Sequence, residues 1–431
     1  MENTFLDSMK RDMNYTETEN GGITHKSTLD AVYDMFALGG AYRSRSDEDC
    51  ILLFKKALEE NEELALKCLF YLRDIRGGQG ERRFFRVCFK WLAKNYPELA
   101  FRNLDNIPEY GRWDDLYCVE GTELRTDAFD VIQCQLNKDL MSLKEGEKEG
   151  VSLLGKWLKS ENASAEDTKY LANQTRIALG YSHKKYRKIL SALRTRINIV
   201  EKLMSEGRWE EIEFAKLPSK AGLIYRNAFA HNDLIKDKYE AFINSKETKV
   251  NAATLYPYEI VKKVTDTLDY WGHTDLEETE REVLNKYWAN QKDYLDGKPC
   301  KMMCVVDTSG SMDSSYGTSV KPIDVAISLG MYCAERIGEP FKNYFISFSS
   351  RPQLIEVEGI DFCDKVKRIY QQNLCENTDL KAVFDMLLNM YISGKVNPED
   401  MPEQLVVISD MEIDRGSYWR DAHRRNTEME A

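Results

Sequence analysis

The apolar run Met302-Met303-Cys304-Val305-Val306 passes directly into Asp307-Thr308-Ser309-Gly310-Ser311-Met312. Its length and its valines predict a strand covered on both faces of a sheet. Sheets of that kind present ligand sites just beyond the carboxyl ends of their strands. A carboxylate and two hydroxyls at alternate positions there can converge on one hard cation. Mg²⁺ takes oxygen ligands in near-octahedral geometry and keeps several waters. The same residues also read as a helix N-cap, because Asp and Ser cap well and a helix is expected to follow.

Two further segments favour the cation. Leu405-Val406-Val407-Ile408-Ser409-Asp410 is a second buried-strand run ending in a carboxylate, and Glu376-Asn377-Thr378-Asp379-Leu380 is a polar turn entering an amphipathic helix that reaches about Met390. Three loops then offer Asp307, Ser309, Ser311, Thr378 and Asp410. In this order the residues resemble the metal-ion-dependent adhesion site of the von Willebrand factor A domain, Asp-x-Ser-x-Ser followed by a Thr and an Asp. The resemblance implies a doubly wound α/β parallel sheet and a Mg²⁺ ion met by Ser309, Ser311 and Thr378 directly or through water. Asp307 and Asp410 would act largely through water, and one position would stay open for a carboxylate from a protein partner.

Ahead of that domain, residues 1–295 read as almost wholly helical. Apolar residues recur at i, i+3, i+4 spacing over Asp47–Glu59, Glu62–Ile75, Arg82–Lys94, Asp127–Leu143, Ala165–Leu179 and His183–Met204. Short breakers such as Gly77-Gly78-Gln79-Gly80 separate them, without a strict repeat period. Helix after helix with short turns predicts a helical-repeat superstructure. Residues 271–299 read as a charged helix and linker. The second domain, 300–431, alternates strand and helix: strands at 302–306, 343–348, 354–357 and 405–409, helices at about 320–337, 361–371 and 380–392. After Asp410 only 21 residues remain, whereas a complete A domain adds a helix, a strand and usually another such unit. The α/β domain is therefore expected to be incomplete at its C-terminus. Its last strand would be an exposed edge, an association hazard that another polypeptide would cover.

Three stretches of the helical part carry a second resemblance: Thr18–Thr28, Arg73–Arg82 and Ile107–Leu116. With a helical module preceding an A domain, they resemble the TROVE (telomerase, Ro and vault) family, nearest a Ro-like branch mostly described only as a domain of unknown function. The resemblance implies a ring of HEAT-like repeats that binds small structured RNAs on its outer surface and single-stranded RNA ends in its central hole. It thus implies an RNA-binding ribonucleoprotein scaffold.

Candidate RNA-binding positions come from the residues themselves. The chain carries a net charge of −12, split as −5 over 1–299 and −7 over 300–431, so a nucleic-acid site must be a local patch. Residues 181–202 hold seven Lys/Arg against one acid. Lys184, Lys185, Arg187, Lys188, Arg194 and Arg196 could bind phosphates, with Tyr181 and Tyr186 to stack on bases. A second basic run, 71–94, includes Arg73, Arg76, Arg82, Arg83, Arg86, Lys90 and Lys94. A solvated helix face explains either run equally well, and Arg73, Asp74 and Arg76 also read as ion pairs bracing the Gly-rich turn. That turn lacks the Gly-Lys-Ser/Thr ending of a phosphate loop and reads as a helix–helix connection. Trp113-Asp114-Asp115 reads as a buried indole and a capping carboxylate.

The ten cysteines are scattered, none in Cys-x-x-Cys, and read as reduced core residues of a cytoplasmic protein. No run approaches 18 apolar residues, so no membrane span is expected. With ligands for a single metal, no phosphate-binding lysine and no nucleophile–base pair, the chain does not read as an enzyme. The alternative to RNA binding is a Mg²⁺-dependent interaction module that captures a protein carboxylate.

Overall fold

A computed structural model describes residues 14–17, 23–146, 150–197, 199–269, 274–295, 300–313, 320–348, 351–372 and 379–410. It divides into two compact units, Ser27–Glu211, and Ile212–Ala431 together with Met1–Lys26. The helices after residue 211 therefore pack in the same unit as the sheet, on the far side of the 295/300 boundary read from sequence.

The Ser27–Glu211 unit is helical throughout its described length. Its elements are α1 Ala31–Leu38, α2 Asp47–Glu60, α3 Glu62–Arg73, α4 Arg83–Asn95, α5 Pro97–Phe101, α6 Asn106–Tyr110, α7 Arg125–Glu145, α8 Leu154–Trp157, α9 Glu166–Ala178, α10 His183–Ile197 and α11 Val200–Ser205. Local chemistry explains the boundaries. The Ser46 side chain accepts from Asp49 N–H at the start of α2, and Asn61 from Leu64 N–H at the start of α3, each satisfying an orphan donor of the first turn. Helix α2 then buries Cys50, Leu53, Phe54, Ala57 and Leu58, the period of one helix face. Helix α4 buries Phe84, Phe85, Cys88, Phe89 and Leu92, and Phe85 and Phe89 meet Phe70 of α3 edge-on with ring centroids 5.4 and 6.2 Å away. Each such ring contributes roughly 1.5–3 kcal/mol. The helix read over 183–204 is two, because Ile199 adopts extended backbone (φ −64°, ψ 133°) and starts α11.

The Gly-rich turn after α3 is a connection, as its backbone shows. The N–H groups of Gln79, Gly80 and Glu81 donate to the carbonyls of Tyr71, Asp74 and Leu72, so they terminate α3 rather than point at a ligand. A Cβ on Gly78 would lie 1.9 Å from the Tyr71 carbonyl oxygen, and Gly80 has φ +68°. Both positions need glycine.

Below this turn lies a cluster of buried charges. Asp115, fully buried, accepts from Arg73 Nη2 at 2.7 Å, Arg86 Nε at 2.7 Å and Arg112 N–H at 2.8 Å. Asp114 is met by Arg86, Arg112 and Lys159, each at 3.1 Å. Burial alone would raise the Asp114 pKa, yet Arg86, Lys159 and Arg112 hold it below the ordinary carboxylate value. Trp113 is half-buried.

The second unit adds α12 Ser219–Ile224, α13 Arg226–His231, α14 Lys236–Asn244, α15 Pro257–Thr265 and α16 Glu278–Ala289, then β3 Met302–Asp307, α17 Pro322–Arg336, β4 Tyr344–Phe348, β5 Gln353–Glu356, α18 Phe362–Gln371, α19 Leu380–Ile392 and β6 Gln404–Ile408. It also holds a small antiparallel pair, β1 Tyr15–Glu17 and β2 Ile23–His25. Three-residue strands of mixed polarity leave no alternation for a sequence reading to detect. Helix α16, the charged helix read ahead of the linker, is docked onto the α/β layer. Trp288 stacks on Phe362 at 4.5 Å and donates to Glu335 at 2.6 Å, while Arg281 Nη2 donates to both carboxylate oxygens of Asp361.

The sheet order is β5-β4-β3-β6. Strand β3 is parallel to β4 and to β6, but β5 is antiparallel to β4. The expected parallel core is thus present in β4, β3 and β6, while β5 joins it as an antiparallel edge strand, because only residues 349–352 separate β4 from β5, and a parallel crossover needs a dozen or more. Helix α19 packs on the face carrying Met303, Val305 and Ile346 through Val383. Helix α17 packs on the opposite face, at Val306 and Phe345. Among the described residues β6 is an edge strand.

The charge cluster yields a sharp contrast. Asp115→Asn strips Arg73, 2% exposed, of its counter-ion and is expected to cost about 3–5 kcal/mol in urea unfolding. Asp47→Asn, which breaks an exposed pair with Arg83, should cost at most about 1 kcal/mol. Because the folded Asp114 pKa is depressed, its contribution is complete above the unfolded value of about 3.9 and is lost as pH falls through the lower folded value. Equal costs for the two variants would contradict this account.

Candidate metal centre

Parallel pairing places the site. The register sets Val306 opposite Ile408, so one step on, Asp307 lies beside Ser409 and Thr308 beside Asp410. The chain leaves β3 for β4 on one side and returns to β6 on the other. The crevice above β3 and β6 is therefore a topological switch point, where open α/β sheets hold ligands.

Asp307 is fully buried. Its Oδ1 accepts the Ser309 N–H at 2.9 Å, and its Oδ2 accepts the Ser409 hydroxyl at 2.5 Å. Both oxygens thus serve to shape the loop, which suits a carboxylate acting on a cation through water. The same bond pins the turn so that Ser309 Oγ and Ser311 Oγ stand 3.1 Å apart. Two oxygens at right angles around Mg²⁺, each at about 2.1 Å, would be about 3.0 Å apart. The pair therefore fits one edge of the octahedron, and a direct hydroxyl–hydroxyl hydrogen bond accounts for the same distance. Beside them Thr308 Oγ1, fully buried, has no hydrogen-bond partner among the described residues. A buried hydroxyl in that state costs about 1–3 kcal/mol unless another oxygen meets it. Asp410 is half-buried at the end of β6. Thr378 lies outside the described residues. No cluster of three His, Cys, Asp or Glu side chains suited to a metal occurs among the described residues, so a cation here would depend on serine hydroxyls.

Ser409 is the member that sequence reading missed. Aligning the two strand-end carboxylates in parallel register would have found it, since it places Ser409 beside Asp307.

The six RNA candidates share α10 but not one role. Lys184, Lys185, Arg187 and Lys188 are exposed, with Lys185 Nζ 4.0 Å over the Tyr181 ring. Arg194 is half-buried, and its guanidinium donates to Gly155 O, Leu158 O and Ser160 Oγ at 2.8–2.9 Å. It clamps the loop after α8. Arg196 donates to Gly146 O at 2.9 Å. Tyr186 is fully buried and donates to Lys159 O, which removes it from base stacking. In the second run, Arg73 and Arg86 hold the buried carboxylates and Arg83 pairs with Asp47. Arg76 donates to Glu109 O, leaving Arg82, Lys90 and Lys94 exposed. Alternation and charge counts do not reveal such internal uses of arginine.

Ser409→Ala leaves Asp307 Oδ2 buried without its donor and is expected to cost about 1.5–3 kcal/mol, the range for hydrogen bonds to charged groups. Ser311→Ala, whose hydroxyl meets Ser309 and no carboxylate among the described residues, should cost less than about 1 kcal/mol. Urea unfolding of the two variants measures the difference, and a neutral Ser409→Ala would remove the clamp.

With the geometry in hand, comparison with known proteins places the chain. An uncharacterized protein of Acanthamoeba polyphaga mimivirus is 28% identical over 436 aligned positions, covering 93% of this chain and 73% of the relative. Residues 301–431, which hold the sheet and the candidate site, match a domain of unknown function (DUF7788). Residues 18–118 and 159–296, more than half of the chain, match a second domain of unknown function (DUF2828), and the chain belongs to that family.

Proposed function

We propose that this protein is a non-enzymatic binding scaffold of the Ro-like type, with a HEAT-like helical part that binds RNA and a von Willebrand factor A-like part that holds Mg²⁺. The observation that carries the metal half is the pair of serine hydroxyls 3.1 Å apart at the switch point above β3. Ser309, Ser311 and Thr378 would hold the ion, with Asp307 and Asp410 behind them. Bound there, Mg²⁺ would supply a hard positive charge with room for one oxygen ligand from outside the chain. This chain's residues supply the preorganisation. Ser409 holds Asp307, Asp307 holds the Ser309 N–H, and the turn thereby presents its hydroxyls together.

The RNA half is supported by Lys184, Lys185, Arg187 and Lys188, four exposed cations within two turns of α10 on an acidic chain. A second reading has its own support. Arg194, Arg196 and Tyr186 serve the fold, which narrows the RNA surface, whereas the serine pair is well formed. On that reading the open position takes a carboxylate from a protein partner, and the helices are a docking surface.

Two measurements separate these readings. Protein purified at moderate salt should carry nuclease-sensitive RNA, and charge reversal of the four α10 cations should remove it. Neutralising a single phosphate-binding cation should also make the log–log salt slope shallower by about 0.7–0.9. RNA retained by the reversed variant, or absent from the wild type, would contradict the RNA assignment. For the metal, Mg²⁺ should raise the melting temperature of the wild type and not of Asp307→Ala. An unchanged Mg²⁺-dependent shift in that variant would sink the site.

A further inference from the structure

On α3, Leu64, Lys67 and Tyr71 recur at i, i+3 and i+7 and so share one face of the helix. On α1, Tyr33 and Phe36 stand at i and i+3. The two rows line one groove of about 550 Å³, together with Asp30 and with Glu60, the last residue of α2. Leu64, Tyr33, Phe36 and Tyr71 are 40–56% exposed, whereas the same unit buries Phe54, Phe84, Phe85 and Phe89 completely. Three rings left half in water on neighbouring helices are therefore surplus to the core. The Phe36 and Tyr71 rings stack, with centroids 5.4 Å apart and planes 25° from parallel, and form a rigid aromatic wall.

The polar positions of the groove are acidic. Asp30 Oδ1 accepts the Tyr33 N–H and Glu60 Oε2 accepts the Ala31 N–H, both at 2.7 Å, so backbone donors orient both carboxylates. Each keeps a second oxygen with no hydrogen-bond partner among the described residues. Lys67 also lines the groove, but Glu63 meets its ammonium at 2.5 Å, which leaves the lining net negative. The N-terminus of α1 brings about half a positive charge, too little to offset two carboxylates. Phosphates are therefore repelled and a cation is drawn in.

The aromatic wall selects which cation. A lysine ammonium is compact and strongly hydrated, and a quaternary ammonium offers the carboxylates no N–H. A guanidinium is planar and weakly hydrated, stacks on rings and forks its donors onto carboxylates. This unit already holds one arginine in that manner. Arg112 lies 4.0 Å over the Trp157 ring and donates to the two oxygens of Asp114 through Nε and Nη2, at 3.1 and 3.4 Å.

We propose that the groove is a docking site for an arginine of a protein partner. The guanidinium stacks among Tyr33, Phe36 and Tyr71 and donates to Asp30 and Glu60, and an apolar neighbour of the arginine covers Leu64. The proposal rests on neither the RNA nor the metal assignment.

The test titrates the full chain with the peptide acetyl-Gly-Leu-Arg-Leu-Gly-amide at low salt and follows binding by saturation-transfer NMR. The peptide should bind saturably through its arginine side chain. Its citrulline counterpart, which keeps the shape and lacks the charge, should bind at least about tenfold more weakly. The lysine counterpart should also be weaker than the arginine peptide. Tyr33→Ala removes one exposed ring, and Glu60→Gln removes a charge while keeping an acceptor for the Ala31 N–H. Each should weaken the arginine peptide several-fold. If a variant fails to fold, the citrulline comparison on the wild type still decides. No saturable binding at millimolar peptide, equal binding of the citrulline or lysine peptide, or unchanged binding in either folded variant would overturn the proposal. Displacement of the peptide by oligouridylate would also overturn it and give the groove to RNA.

Discussion

Asp115 is the residue on which the Ser27–Glu211 unit depends. Its two oxygens draw together the end of α3 through Arg73, the first turn of α4 through Arg86, and its own turn through Arg112 N–H. Removing these charges from water costs several kcal/mol per ion, so the arrangement holds only while every partner is present. Asp114 extends the cluster to Lys159, far along the chain. Helices whose apolar faces could slide over one another are thereby held in a single register. The Gly-rich turn answers to the same constraint, because it must end α3 within hydrogen-bonding reach of Tyr71 and bring the chain round to α4.

A smaller version of this logic operates above β3. Asp307 is again a fully buried carboxylate with both oxygens engaged, here by Ser309 N–H and the Ser409 hydroxyl. One cluster uses ionic partners and sets helices. The other, among the described residues, uses neutral donors.

The elements of the α/β layer were legible in the chain to within a residue or two, from β3 at 302 to β6 at 408. Short strands bounded by polar turns and helices of regular period carry their own signal. The candidate loop was legible for the same reason, since Asp307, Ser309 and Ser311 are neighbours in sequence. What failed were roles. Arg194 and Lys188 look alike in a basic run, yet one clamps three acceptors and the other is exposed. Tyr186 and Tyr181 differ in the same way. Charge and residue type report what a side chain can do, not whether the fold has already used it.

The chain by itself determined its helices, its strands, the turn that needs glycine at 78 and 80, and a carboxylate–hydroxyl loop at the end of a buried strand. All of these follow from local spacing, capping and backbone sterics, which act over a few residues. Tertiary structure alone decided that Ser409 bonds Asp307 across 102 positions and that Arg73 belongs to Asp115 rather than to Asp74. It also decided that the charged helix α16 packs on the α/β layer. Such pairings depend on strand register and on the level at which a helix crosses a strand. Those are set by the packing of whole elements, and no window of sequence contains them.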